Sequence, residues 1–504
     1  MAVRPATRVA VVGAGMGGLA AAITLAAEGC RVQLIERAEV AGGRMREFAV
    51  RGHPIDSGPT VFTMKDVFEH VFCAAGTRLE DHLELLPVST LARHGWLDGS
   101  RLDLFSDIDR TAAAIEQFAG AREANGYRRF SHDAGDIYAT LNTRFMRSSK
   151  PNPVHLALSD GLHGIPALIR TRPFRSMWSQ LDHYFKDPRL HQLFARYATY
   201  CGSSPLAAPA TLNLIAHVER TGVWRVKGGM QRLAEAMCAL AERLGVELHL
   251  GDGVRQIRCK GARVSGVLLD SDRLIDCDAV IFNGDVNALS KALLGKAIKR
   301  AVPDRRREQR SLSAVTWSMV TRASGFELDH HTVLFGDDYA REFNAIFKEH
   351  RLPDDPTLYL CAQDRGESNA LPTGEERLFM LVNAPPRPLK GSELRQLEMT
   401  VQRRLERHGL TLNINDVIRQ TPDDFAARFP GSDGAIYGWP THGWRGSFKR
   451  MGNQSSRING LYFAGGSVHP GPGVPMAALS GTIAADTLMR DFAVTSSTPS
   501  PQLA

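Results

Sequence analysis

Three groups of residues in this chain have the types and spacing to do chemistry. The first is Gly13-x-Gly15-x-x-Gly18, with Glu36 eighteen residues past the last glycine. Glycines so placed permit a tight turn and let backbone N–H groups approach a pyrophosphate at a helix N-terminus. A carboxylate at Glu36 can hold a ribose 2′-hydroxyl, which favours FAD or NAD over NADP. The second is Gly42-Gly43-Arg44, just after Glu36-Arg37; its bland alternative is a surface turn with a solvated arginine. The third runs from Leu461-Tyr462-Phe463-Ala464-Gly465-Gly466 to His469-Pro470-Gly471-Pro472-Gly473-Val474-Pro475-Met476. A strand, a Gly-Pro loop and a helix start, in that order, aim a positive helix end at a site where negative charge develops.

Candidate acid–base residues are few. His469 is one, with a loop histidine bonded to backbone as the alternative. Asp285 is another; it could equally cap a helix before Ala288. No nucleophile elbow, metal-ligand helix or CxxC pair occurs, so neither a triad nor a metal centre is expected.

The elements that must position these groups follow from hydrophobic periodicity. Arg8–Val12 is a short apolar β-branched run, residues 13–18 a turn, residues 19–28 an Ala-rich helix stopped by Gly29, and residues 32–35 a second strand. This is a βαβ unit. Residues 61–220 are mostly helical in pattern. A helix over 231–244, a strand over 246–250, two more strands and a strand over Ala279–Phe282 then restore the opening style, closing into Asn283-Gly284-Asp285. Residues 311–322 and 376–383 read as strands of a second sheet. The pattern predicts an α/β fold. A Rossmann-like dinucleotide domain is assembled from residues 1–75, 221–290 and 450–494, with an α+β substrate-binding, membrane-facing domain inserted as 76–220 and 291–449. Residues 495–504 read as a disordered tail.

The chain has 504 residues, enough for two to four domains. A net charge of +7, from 61 basic and 54 acidic residues without a long basic run, suits an anionic cofactor or membrane surface and argues against nucleic acid. Seven scattered cysteines, an odd number, read as reduced thiols in a cytosolic compartment. Residues 1–7 run directly into the first strand, so no signal peptide is expected. No apolar run is long enough to span a bilayer. Residues 148–175 hold an apolar, Pro-punctuated stretch flanked by Arg144, Arg147, Lys150, Arg170, Arg172 and Arg175. It reads either as an interfacial segment or as an ordinary helix of the substrate domain.

A resemblance narrows these readings. Gly-Gly-Arg shortly after the second strand resembles the two-dinucleotide-binding-domain flavoproteins, such as amine oxidases and carotenoid desaturases, which implies FAD. Residues 13–19, 42–44, Asp56-Ser57-Gly58-Pro59-Thr60-Val61, Lys227-Gly228-Gly229-Met230 and 464–475 together resemble bacterial phytoene-desaturase-type carotenoid desaturases. The likeness covers essentially the whole chain. Residues 196–205, Thr421-Pro422-x-Asp424-Phe425, 428–431 and 437–444 look like the 1-hydroxycarotenoid 3,4-desaturase (methoxyneurosporene dehydrogenase) branch. The resemblance implies FAD contacts at Gly13, Gly15, Gly18, Glu36, Arg37, Gly42, Gly43, Arg44, Gly58, Pro59, Thr60, Val254, Gly465, Gly466, Gly473, Val474 and Met476. Many flavoproteins carry Ala-Gly-Asp where this chain has Ala464-Gly465-Gly466, so the ribityl-binding aspartate has no counterpart here.

The implied reaction removes hydride from C-4 and a proton from C-3 of an acyclic carotenoid hydroxylated or methoxylated at C-1. It implies reoxidation by a quinone, oxygen or another membrane carrier. It also implies a cytoplasmic protein held peripherally on the bacterial inner (photosynthetic) membrane. A polar group near the end of the substrate tunnel is expected to read the hydroxyl, with His442, Asp285 and His217 as candidates. Phytoene or neurosporene desaturation, and carotenoid isomerisation, are alternatives within the family. A non-catalytic isoprenoid carrier on the same fold and an amine oxidase are rivals of other kinds. The intact flavin motifs speak against the carrier. The lack of any cysteine after Cys361 removes the covalent-flavin attachment of some amine oxidases.

Overall fold

The computed structural model describes residues 6–149, 171–303, 309–365, 374–444, 446 and 449–497. Most of the candidate interfacial segment, residues 150–170, lies outside them.

Five short strands form a parallel sheet in the order Leu461–Phe463, Ala279–Phe282, Arg8–Val12, Arg31–Glu36, Glu247–Leu250. Near-continuous apolar runs such as RVAVV and AVIF are what a parallel sheet covered on both faces requires. Alternation sorts the side chains. Val9, Val11, Leu34, Ala279 and Ile281 face the helices Met16–Ala27, Gln231–Arg243 and Val474–Ser497. Ala10, Val12, Ile35, Val280 and Phe282 face a three-stranded antiparallel sheet over Val254–Lys260, Arg263–Leu269 and Leu274–Asp276. The first and last helices cross at glycine. A Cβ on Gly481 would lie 2.0 Å from the Gly17 carbonyl oxygen, so any side chain there would force the helices apart.

A seven-stranded mixed sheet forms the second layer system, in the order Leu410–Gln420, Ser313–Gly325, Glu376–Ala384, Leu358–Ala362, His331–Leu334, Thr90–Gly95, Arg101–Phe105. One face, with Val315, Trp317, Leu360 and Met380, packs on the helix Gly391–Arg407 through Leu397, Val401 and Leu405. The other face looks towards helices of residues 177–221 across a cavity.

Two sequence expectations change. The stretch read as mostly helical supplies the edge hairpin Thr90–Gly95/Arg101–Phe105, turned at Asp98-Gly99 with Gly99 at φ +82°. An Asp-Gly between alternating apolar residues is a hairpin signal that helical periodicity on either side masks. The terminal helix runs to Ser497, past the expected start of the tail at Thr495, because nothing before Ser497 breaks a helix. Residues 498–504 lie outside the described residues.

Candidate active site

The three motifs meet at the C-terminal ends of the parallel strands. Val12 leads into Gly13 at φ +104°, whose N–H donates to the Ile35 carbonyl at 2.7 Å. Gly18 sits so close behind that a Cβ would lie 1.9 Å from the Gly13 oxygen. Glu36 ends the next strand and accepts from Ala14 N at 2.8 Å and Ala38 N at 2.9 Å, which fixes its carboxylate at the turn. The Gly42-Gly43 turn docks on the first one: Gly42 N donates to Ala14 O at 2.8 Å, and a Cβ on Gly43 would stand 3.1 Å from the Gly15 Cα. Gly58 closes the group, since a Cβ there would meet the Arg44 carbonyl at 2.1 Å.

Arg44 is the charged group this cradle presents. Its Nε is buried without a hydrogen-bond partner among the described residues. Burial pushes the guanidinium below its ordinary range, nearby Arg310 adds to this, and Asp285 opposes it. A charge so placed calls for an anion. On the far side, the helix Val474–Ser497 begins after Gly473 with its N-terminus at the same space. Gly465, at φ +101°, donates its N–H to Ser480 Oγ at 3.1 Å. Where an aspartate would follow, the Gly466 carbonyl accepts from Arg450 at 3.3 Å.

These surfaces bound one continuous cavity of about 1220 Å³, above the usual range of about 300–1,000 Å³ for a single small ligand. Every residue expected at FAD lines it except Gly18, whose part is the close approach of helix to strand. Val254 and Arg37 line the end by Glu36. A second limb runs between the seven-stranded sheet and the helices, walled by Leu212, Ile215, Val333, Phe379 and Leu381.

The acid–base candidates fare differently. Asp285 lines the cavity, but it caps Asn287 N at 3.0 Å and forms a buried ion pair with Arg310. His469 is fully buried behind the Gly-Pro loop, edge-on to Phe145, and burial pushes it down to about 4. His442 accepts from Ser204 N at 3.0 Å and burial likewise holds it at about 4. His217 faces Arg220 and Tyr138 in a separate small pocket. His469, His442 and His217 thus lie off the cavity. Sequence reading missed Asn283. Its amide donates to Gly13 O at 3.1 Å, and Gly15, Gly17, Gly18 and Gly465 all pack against it. The signal was its place directly after a strand bordering Arg8–Val12. His330, His331 and Cys361, at the ends of two neighbouring strands of the seven-stranded sheet, put ligand-type atoms within 4.8 Å of one another.

The family described as flavin containing amine oxidoreductase matches residues 16–489. The chain belongs to that family. It is an FAD-dependent oxidoreductase, and the orphaned Arg44, the Glu36 carboxylate and the helix start at Val474 fit a dinucleotide with a reducible end. The chain is 47% identical to a hydroxyneurosporene desaturase of Rubrivivax gelatinosus over 97% of this chain and 94% of that one. It is 45% identical to a hydroxyneurosporene desaturase of Cereibacter sphaeroides over 96% and 98%. A solved putrescine oxidase structure shares the flavoprotein's fold, with TM-score 0.63 at 16% identity over 96% of this chain and 99% of that one.

Proposed function

We propose that this flavoprotein is a carotenoid desaturase that forms the C-3,4 double bond of a 1-hydroxylated (or 1-methoxylated) acyclic carotenoid during carotenoid biosynthesis. The observation that carries this is the 47% and 45% identity, nearly end to end, to two hydroxyneurosporene desaturases. The cavity supports it: one polar, glycine-lined limb for a dinucleotide opens into an apolar limb for a long hydrocarbon. We propose the domain division read from the sequence, with FAD between the Gly13, Gly42 and Gly465 loops.

Bound FAD supplies the hydride acceptor. Arg44 and the Val474 helix end hold its anionic portion, and Glu36 its ribose. The walls around Leu212, Ile215, Phe379 and Leu381 orient the polyene and exclude water. The proton beside a delocalised cation is acidic enough that no strong side-chain base is needed, in line with the placement of His442 and His469 off the cavity.

A hydrocarbon substrate must be drawn from lipid. Among the described residues no helix is long and apolar enough to cross a membrane. Pro173 and Trp444 line the cavity beside Phe174, which is 74% exposed and meets the Trp444 ring at 5.6 Å with the planes tilted by 54°, with Arg172 and Arg175 flanking. This supports a peripheral attachment, released by carbonate washing, with a quinone, oxygen or another membrane carrier taking the electrons. The test is parallel turnover of phytoene, lycopene and a 1-hydroxylated acyclic carotenoid. The hydroxylated substrate should turn over fastest; faster conversion of phytoene rejects the branch.

A further inference from the structure

The apolar limb carries a set of polar groups that neither the flavin nor the fold accounts for. On the cavity face of the seven-stranded sheet, side chains fall in rungs. Thr316, Leu381 and Tyr359 share one rung, and Ala314, Asn383 and Thr357 lie at the next. Thr60 bonds Tyr359 OH at 2.6 Å, and Gly58 packs on Arg44, so the Tyr359 rung marks the dinucleotide side. The Asn383–Thr357 rung lies two residues further along the strands, about 7 Å away.

Behind that rung sits Glu342, 2% exposed, on the helix Tyr339–Phe347. Its carboxylate accepts from Thr357 N at 3.0 Å, Thr357 Oγ1 at 2.7 Å and Asn383 Nδ2 at 3.0 Å. Among the described residues it has no cationic partner. This fixes the asparagine amide. With Nδ2 committed to Glu342, the carbonyl Oδ1 is what Asn383 offers to the cavity, and no described protein group takes it. Thr316, one rung back, has Oγ1 buried without a partner. Two tyrosines of this limb, Tyr200 and Tyr359, are already paired. Tyr200 OH donates to Glu219 at 2.7 Å and accepts from Arg196 at 3.1 Å, and Tyr359 OH also meets His331 Nδ1 at 2.8 Å.

We infer that Asn383, held by Glu342 and Thr357, is the subsite that reads the tertiary alcohol of the substrate, accepting its O–H at Oδ1. This rests on the desaturase reading above and sharpens it. Only C-2 separates the carbinol carbon from C-3, so an alcohol bound one rung beyond Thr60 leaves C-3 and C-4 on the dinucleotide side. Because Oδ1 accepts, the group it reads must donate: a free hydroxyl satisfies it, and a methyl ether or plain hydrocarbon leaves it unpaired. Of the readers expected from sequence, His442 and His217 do not line the cavity, and Asp285 is committed to Arg310.

The test uses flavin-loaded enzyme and three carotenoids differing only at C-1: the alcohol, its methyl ether and the unoxygenated hydrocarbon. Wild type should prefer the alcohol by about 10- to 100-fold in kcat/KM. Asn383→Leu should remove most of that preference by slowing the alcohol alone, with flavin content unchanged. If Asn383→Leu does not retain flavin, Glu342→Gln serves: it keeps size and hydrogen bonding but frees the Asn383 amide to turn, so the preference narrows. A preference left intact in either flavin-loaded variant overturns the subsite alone. Wild-type failure to turn over any of the three overturns the desaturase reading and the subsite with it.

Discussion

The guanidinium of Arg44 stands over the ring of Phe429, 5.3 Å from its centroid, with Nε buried and unpaired among the described residues. A ring face offsets little of what a buried cation loses in leaving water. Arg44 is therefore poised for an anion, and its removal has opposite signs with and without flavin. Arg44→Met should weaken FAD binding by about 10- to 100-fold, the loss of charge-assisted hydrogen bonds. The same change should raise the melting temperature of the flavin-free protein. Flavin fluorescence titration and paired melts check both; unchanged affinity would refute the phosphate assignment.

Asp285 and Arg310 form a buried pair at the cavity edge, and Arg310 also holds Ser432 O at 3.1 Å. Asp285→Asn should destabilise by about 3–5 kcal/mol by leaving a buried cation uncompensated. Asp285→Asn/Arg310→Met should recover much of that. If Asp285→Asn instead melts like wild type yet abolishes turnover, Asp285 acts in the chemistry.

Gly481→Ala should destabilise by about 1–3 kcal/mol, since its methyl meets the Gly17 carbonyl at 2.0 Å. Gly374→Ala, where nothing lies within 4 Å, is the control and should be near neutral. Equal melting temperatures for the two variants would contradict the helix crossing.

Acid should unfold the protein early. Burial holds His330, His408, His442 and His469 at about 4, against an ordinary 6.5. The unfolded chain takes up these protons first, so stability is lost as pH falls from about 6.5 to about 4. Asp56, pushed up to about 6 by burial, acts in the opposite sense: its contribution is present below 3.8 and lost as pH rises through 6. Burial also raises Asp329, Glu342 and Asp486, but it lowers His94, His191, His217, His249 and His331 besides the four above, so the imidazoles outnumber the carboxyls. Melting temperature should drop through this window, and His442→Gln should reduce the slope by about one proton.

The dinucleotide limb was legible because its requirements are local. A glycine that must adopt φ +104°, or leave room for a carbonyl that would stand 1.9 Å from any Cβ, is written in one residue, as at Gly13 and Gly18. Arg8–Val12 and Ala279–Phe282 appear where apolar runs place them. The substrate limb was not legible in the same way. Asn383, Thr357 and Glu342 meet only through strand register and a helix packed behind it, and nothing near Asn383 in sequence announces Glu342. His442 and His469 attracted notice as histidines beside motifs, yet their neighbours, Ser204 N and Phe145, come from distant segments.

The Gly17–Gly481 crossing ties the beginning of the chain to its end. The βαβ unit is made well before residues 461–497, and until they follow its helix lacks one of its packing partners and its sheet an edge strand. The cofactor pocket therefore cannot close during synthesis. Until then the part of Met16–Ala27 that packs on the last helix lacks its native cover. Early flavin capture is unavailable to stabilise the nascent chain, and a truncation that removes the last helix should yield a protein that neither binds FAD nor stays soluble.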